Sequence, residues 1–155
     1  PAERVQVLGL SHELCGELGL GWNRRLSMFK PAMQSGKTPA GISAMSRKYG
    51  YNESDVAATN QRQIAMLNLL TAILSAQRAQ GSEFLVGQRL SAADFYWAAF
   101  SVIMDILPDT LCPVSAAARS MFENVDSSVK AALPPILLEH RERILRAHFK
   151  LPMEF

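Results

Sequence analysis

The sequence predicts one all-α domain, spanning residues 1–155, with a buried central helix. Long segments in which apolar residues recur at spacings of three and four are separated by short stretches rich in Gly, Pro and Ser. No segment alternates apolar and polar residues as a strand with one solvated face does. The segment 95–107 has only Ser101 and Asp105 as clearly polar residues, apart from the tips of two aromatic rings, and a helix that is apolar on all sides is buried.

Composition excludes several classes of protein. The chain of 155 residues has a formal net charge of +2, which is too small to indicate a nucleic-acid binder. No apolar run approaches the roughly 20 residues of a membrane span, and the N-terminus does not resemble a secretory signal. Cys15 and Cys112 are far apart and form no disulfide framework, so we expect reduced thiols and a cytoplasmic location. Residue Pro1 fits either a native start or a chain cut in a linker.

The first helical segment runs from about Ala2 toward Lys30 and is interrupted by three glycines within six residues. Each glycine costs up to about 1 kcal/mol relative to alanine inside a helix, so a bend or break is predicted there. The following stretch, 31–51, is rich in Gly, Pro, Ser and Thr. It is predicted to be a long connection with one short helical turn near Ala44.

The remaining helices are predicted from their caps and their apolar spacing. The second long helix spans about Ser54 to Gln80, with Asn52 or Ser54 as its N-cap and Gly81 after its end. The central helix should end at Pro108. Shorter helices are expected over 115–124 and 127–133, and the last helix over 134–149, where the charged run 139–146 is predicted to be a solvated face.

The segment before the central helix has the features of a helix start. Ser91 is placed to accept a hydrogen bond from the amide of Asp94, and the Asp94 carboxylate is placed to accept one from the amide of Ser91. This reciprocal pattern predicts a capping box. Because unpaired amides at a buried helix end cost about 1–3 kcal/mol each, the cap is expected to be important for folding.

The run from Phe84 to Phe95 resembles the helix-capping motif that precedes the buried central helix in the C-terminal domain of cytosolic glutathione transferases. That motif reads Phe-Leu-x-Gly-x-x-x-Ser/Thr-x-Ala-Asp. The matching positions here are Phe84, Leu85, Gly87, Ser91, Ala93 and Asp94. Gln88 stands where the family often has Asp. The likeness covers essentially the whole chain, although the first and last helices match in length and character only.

The resemblance implies an all-α bundle like the C-terminal domain of that family. It also implies a separate thioredoxin-like domain, in cis or in trans, that carries the catalytic Tyr, Ser or Cys and holds glutathione as co-substrate. No catalytic residue and no cofactor are then expected on this chain alone. Its expected contribution is a wall of the pocket for a small hydrophobic electrophile and much of the contact of a homodimer.

By the same analogy, the electrophile pocket would be lined by the middle and later part of the first helix. The candidates are Trp22, Arg25, Met28, Phe29 and Met33. An adaptable surface of Met and aromatic residues suits varied apolar ligands, although the same spacing is also typical of residues that only pack a core. Candidate glutathione contacts are Glu13, Glu17 and Arg24, for which solvated positions on the helix are the alternative.

The remaining polar residues give weaker indications. His12 and Cys15 have a spacing compatible with a metal, but without a second ligand pair no metal site is predicted. Cys15 could be a reactive thiol or a small buried residue. His140 and His148 lie among Arg and Glu with no obvious catalytic partner in the sequence.

Two other functions fit the same sequence. One is a stand-alone, non-catalytic interaction or assembly module, which would carry an exposed apolar patch on the first helix. The other is a helical carrier of small apolar ligands.

The low content of charged residues, 19% Asp, Glu, Lys and Arg, agrees with a surface that is partly covered by a partner.

Overall fold

The computed structural model describes residues 1–153, and that part of the chain is helical with no β-strand. The predicted all-α class is therefore confirmed. The helices are α1 (Ala2–Cys15), α2 (Leu20–Gln34), α3 (Ala40–Lys48), α4 (Glu53–Ala79), α5 (Ala92–Ser101), α6 (Ala116–Glu123), α7 (Ser127–Ala131) and α8 (Pro135–His148).

Helix α5 packs between α1 and α8, and the long helix α4 packs against α2, α7 and α8. Trp97 of α5 is fully buried, and its indole Nε1–H donates to the carbonyl of Leu137 in α8 at 3.0 Å. A buried indole needs such a partner for its N–H group, so this bond fixes α8 against α5. The surrounding core includes Leu14, Leu20, Met66, Leu67, Leu70, Leu74, Leu85, Met104 and Leu137.

The predicted break in the first helical segment is confirmed, because α1 ends at Cys15 and α2 begins at Leu20. One of the three glycines, Gly21 on the first turn of α2, is required by a close contact. A Cβ atom at this position would lie 2.3 Å from Cδ1 of Phe100. Glycine therefore lets α2 approach the end of α5 more closely than any other residue would.

The prediction that 31–51 is a connection with one helical turn is wrong. Helix α2 continues through Pro31 to Gln34, and α3 forms nine residues from Ala40 to Lys48. The local sequence explains α3. Pro39 directly precedes its first residue, Arg47 and Lys48 lie at the negative end of its dipole, and Gly50 follows it with φ of 61°.

The central helix is shorter and less enclosed than predicted. It ends at Ser101, and the amide of Met104 then bonds the carbonyl of Ser101 in a tighter turn, although residues 102–104 stay buried. Phe95 and Tyr96 are 36% and 39% exposed, so α5 is buried on one face rather than on all sides. The reason is that α1 and α8 cover only part of its circumference.

The prediction of a solvated face over 139–146 is also wrong in part. His140 and Arg141 are buried at 0% and 4% exposure. Arg141 Nη1 donates to the carbonyl of Asp105 at 2.8 Å and to its carboxylate at 2.9 Å. The chain leaving α5 thus supplies the partner that makes burial of this guanidinium favourable.

The caps of the long helix agree with the sequence. The side chain of Asn52 accepts from the amide of Asp55 at 2.9 Å, and Gly81 follows the last turn of α4 with φ of 78°. The shorter helices α6 and α7 and the last helix α8 also lie within the predicted ranges.

We expect Gly21→Ala to lower the free energy of unfolding by about 1–3 kcal/mol, because the added methyl group overlaps the Phe100 ring. Gly9→Ala is the matched control, since Gly9 is also helical and has no atom within 4 Å of the added Cβ. The control should gain about 0.5–1 kcal/mol from helix propensity. Urea unfolding of both variants measures the difference, and equal effects would contradict the close contact.

Candidate functional site

Four aromatic rings and the guanidinium of Arg25 lie together, with Tyr49 in contact with Trp22, Phe29 and Arg25. The ring centroids of Trp22 and Tyr49 lie 4.8 Å apart in an edge arrangement, and those of Phe29 and Tyr49 lie 6.0 Å apart. Arg25 Cζ lies 5.4 Å from the Tyr49 ring centroid and 5.6 Å from that of Phe100. We call Trp22, Arg25, Phe29, Tyr49 and Phe100 the aromatic–arginine cluster.

Three of the five predicted pocket residues thus lie together, and they differ in accessibility. Trp22 and Arg25 are half-buried, whereas Phe29 is buried with 4% exposure. Of the other two, Met28 is buried and Met33 is half-buried near the end of α2. A ligand could therefore reach the indole of Trp22 and the guanidinium of Arg25, while Met28 and Phe29 mainly pack the interior.

Tyr49 was not predicted as part of the cluster, because it lies in the stretch that was expected to be a loop. It follows the last residue of α3, and this helix brings its ring onto α2. A guanidinium held over aromatic faces is a cation–π arrangement worth about 0.5–2 kcal/mol. The arrangement suits an aromatic ligand, and the positive charge favours one with an anionic substituent.

The alternative that Arg24 lies on a solvated helix end is wrong. Its side chain is 2% exposed, and its guanidinium donates from Nε to the carbonyl of Ile103 at 2.8 Å and from Nη2 to that of Phe122 at 2.9 Å. Burial lowers the pKa of Arg24 to about 10. Its visible role is to tie α2 to the end of α5 and the end of α6, and its predicted glutathione contact stays a prediction.

The two acidic candidates lie apart from the aromatic–arginine cluster. Glu13 and Glu17 are both exposed, and Glu17 lies beyond the end of α1 rather than one helical turn after Glu13. Glu13 borders a cavity of about 290 Å³ that is also lined by Arg62 of α4. Their contact with glutathione also stays a prediction.

The predicted capping box is confirmed, and its carboxylate is buried while Ser91 is half-buried. Asp94 is fully buried, and its Oδ2 accepts from the amide and the hydroxyl of Ser91, both at 2.8 Å. Its Oδ1 accepts from the amide of Leu85 at 2.9 Å. The carboxylate therefore holds both the first turn of α5 and the loop before it.

His140 is the partner of Asp94 that the sequence did not reveal. Its Nε2 lies 3.0 Å from Asp94 Oδ1, and both side chains are 0% exposed. Arg143 Nη2 lies 2.9 Å from His140 Nδ1, and because a guanidinium can only donate, Nδ1 accepts and the proton is on Nε2. The guanidinium of Arg143 also lies over the ring of Phe84, 5.1 Å from its centroid.

These contacts determine the ionisation of Asp94. Burial opposes the charged form, and hydrogen bonds from His140, Leu85 and Ser91 outweigh it, so the pKa of the carboxyl lies below its usual value. Asp94 is therefore a charged acceptor around which loop, α5 and α8 are assembled. Both side chains are fully buried, and their visible contacts join the loop, α5 and α8.

The His12 and Cys15 pair does not form part of a larger ligand set. Cys15 is half-buried, and its Sγ–H donates to the carbonyl of Ser11 at 3.0 Å, whereas His12 is exposed. No group of three His, Cys, Asp or Glu side chains within residues 1–153 is arranged to hold a metal ion. In the same range, none of the helices has the length and apolar character needed to cross a membrane.

The chain matches no protein-family model, no curated protein and no solved structure at a significant level. The resemblance to glutathione transferases therefore rests on the sequence alone and stays a prediction.

We expect Asp94→Asn to lower the free energy of unfolding by about 2–4 kcal/mol. The new amide group would turn a donor toward the N–H groups of Leu85 or Ser91, which need an acceptor. Glu142→Gln is the matched control, because Glu142 is exposed and its ion pair is with the exposed Arg146. Urea unfolding should show a change below about 0.5 kcal/mol for the control.

The same variant should change the pH dependence of unfolding. The pKa of Asp94 is lower in the folded state than in the unfolded state. Its contribution to the free energy of unfolding is therefore fully present above the unfolded pKa of about 3.9, and it is lost as the pH falls from there through the folded pKa. Wild-type protein should therefore lose stability below about pH 4, and the loss should be smaller in Asp94→Asn. Parallel acid profiles for the two proteins would contradict the assigned contacts.

Proposed function

We propose that this chain is the helical half of a glutathione-transferase-like protein, and that it binds hydrophobic electrophiles and contributes to a homodimer. A thioredoxin-like domain, in cis or in trans, would supply glutathione binding and the catalytic residue. On this proposal the chain has no catalytic residue of its own. A cytoplasmic location is part of the same proposal.

The observation that best supports this proposal is the buried capping box placed at the start of α5. Ser91 and Asp94 cap a helix that packs between α1 and α8, which is the role that the resembling motif has in the transferase family. The cap also fixes the position of Phe100, nine residues after Ser91, which contributes to the aromatic–arginine cluster. The cluster is then the candidate wall of the electrophile pocket.

A non-catalytic interaction module is the second candidate, and α1 carries the observation that favours it. Val5 and Leu8 on this helix are 71% and 59% exposed. They lie three residues apart and therefore share one face of the helix. An apolar face of this kind suits contact with another protein, which in the leading proposal could be the second subunit.

We expect an anionic aromatic reporter, anilinonaphthalene sulfonate, to quench the fluorescence of Trp22 when it binds the aromatic–arginine cluster. The reporter's own emission is followed as well, because the buried Trp97 also transfers energy to a bound reporter. Trp22→Leu should weaken binding about tenfold, because it removes an aromatic contact surface, and Arg25→Met about threefold to tenfold by removing the charge. Fluorescence titration of the reporter measures each affinity.

Phe95→Leu is the matched control for this titration. Phe95 is an exposed aromatic residue of α5 whose ring lies against His148 and Phe149, away from the cluster. The Phe95→Leu substitution should leave the affinity for the reporter unchanged. If the reporter bound equally well to Trp22→Leu and Arg25→Met, the cluster would not be its site.

The intact mass of the protein in its source cells separates the two candidate functions. The leading proposal predicts a mass above the 17.1 kDa of this chain by at least one small domain, or a co-purifying thioredoxin-like subunit. The interaction module predicts a mass of 17.1 kDa with an unrelated partner. Top-down mass spectrometry of the native complex measures both, and the second result would contradict the transferase proposal.

A further inference from the structure

A polar cavity of about 190 Å³ lies between α2, α4 and the segment that joins α6 to α7. It does not include the aromatic–arginine cluster, and the inference drawn from it does not rest on the proposed function. Its polar wall is built mainly by Arg24, Ser27, Lys30, Asn60, Gln63 and Asp126.

Arg24 brings a buried positive charge to this cavity. Its side chain is 2% exposed and takes part in none of the ion pairs formed within residues 1–153. Carbonyl oxygens accept from Nε and Nη2, while the acceptor for Nη1 among the described residues is the hydroxyl of Ser27, at 3.3 Å. A buried guanidinium is normally compensated by an anion, so the nearby cavity is where such a partner would be favoured.

Gln63 brings an unsatisfied acceptor to the same cavity. It is 1% exposed, and its Nε2 donates to the carbonyl of Thr59 at 3.1 Å. Its Oε1 has no hydrogen-bond donor among the residues that the structure describes. Buried polar atoms are nearly always paired. A ligand that pairs with Arg24 and Lys30 through an anionic group would therefore also need a hydrogen-bond donor for Gln63 Oε1.

From these two features we infer that the cavity binds a small carboxylate that carries a hydroxyl or amino group. The carboxylate would accept from Arg24 Nη1 and face Lys30, and the second group would donate to Gln63 Oε1. Asp126 also borders the cavity, but its Oδ1 already accepts from the amide of Ser128 at 2.9 Å. Its charge favours an amino group over a hydroxyl as the donor.

The size of the cavity agrees with this class of ligand. A volume of 190 Å³ corresponds to about six water molecules at roughly 30 Å³ each. That space suits an organic acid of about six non-hydrogen atoms. The polar character of the wall also disfavours an apolar ligand.

The test compares three acids of nearly equal size: L-alanine and L-lactate, which carry the second donor, and propionate, which lacks it. NMR titration follows the Arg24 Nε–H and Gln63 side-chain amide signals. We expect L-alanine and L-lactate to bind with a Kd of about 1 mM or tighter, and propionate about tenfold more weakly. Gln63→Met should reduce the affinity for both donor-bearing acids to that for propionate.

Three more variants, one of them a control, test the site without disturbing buried contacts. Lys30→Met should weaken binding of all three acids about threefold, whereas Lys48→Met, an exposed lysine of α3 outside the cavity, should have no effect. Ala57→Leu, at an exposed position of α4 that borders the cavity, should abolish binding by filling it.

Three results would overturn the inference. The first is equal binding of propionate and the two donor-bearing acids. The second is binding of inorganic phosphate as tight as that of L-alanine and unaffected by Gln63→Met, which would show a general anion site. The third is the absence of any shift in the Arg24 and Gln63 signals, which would mean that the cavity holds water only.

Discussion

The buried carboxylate of Asp94 is the constraint on which the rest of the fold depends. An ionised carboxylate in an interior is strongly disfavoured unless donors surround it, and here the donors come from three parts of the chain. Leu85 belongs to the loop after α4, Ser91 to the start of α5, and His140 to α8. None of these parts can leave without exposing an unpaired charge to an apolar core, so the carboxylate makes their assembly cooperative.

The effect of this cap extends along α5 to the opposite end of the domain. Because the start of α5 is fixed, Phe100 reaches Gly21, and the carbonyl of Ile103 reaches the guanidinium of Arg24. Helix α2 is thereby held against α5 by a close glycine contact and by a long-range hydrogen bond. The aromatic–arginine cluster and the polar cavity both use α2 as a wall, so both depend on a helix start that lies outside them.

The features that the sequence predicted are those determined by neighbours in the chain. The capping box of Ser91 and Asp94, the break near Gly16 and the end of α4 at Gly81 each need only a few consecutive residues. Burial of His140 and Arg141 depends on partners in distant segments, so their charged surroundings in the sequence predicted solvent instead. Helix α3 was missed for a related reason: its one glycine and two serines disfavour a helix, and packing on α2 adds to the favourable local signals at its ends. Of the pocket candidates, Trp22, Arg25 and Phe29 lie together because they share a helix face, while Tyr49 joins them only through tertiary structure.

Arg24 and Arg25 show why residue type alone does not identify a ligand contact. Neighbours on a helix point about 100° apart, so one guanidinium enters the interior and the other lies across two aromatic rings. Arg24 supports the fold through the carbonyls of Ile103 and Phe122, and its loss would weaken folding and binding together. Arg25 is half-buried, and its one backbone contact is a long one of 3.5 Å to Gly21 within the same helix. A loss of ligand affinity on replacing Arg25 therefore shows a direct ligand contact, whereas the same loss on replacing Arg24 could come from weakened folding. For that reason Gln63 and Lys30 are better probes of the polar cavity than Arg24.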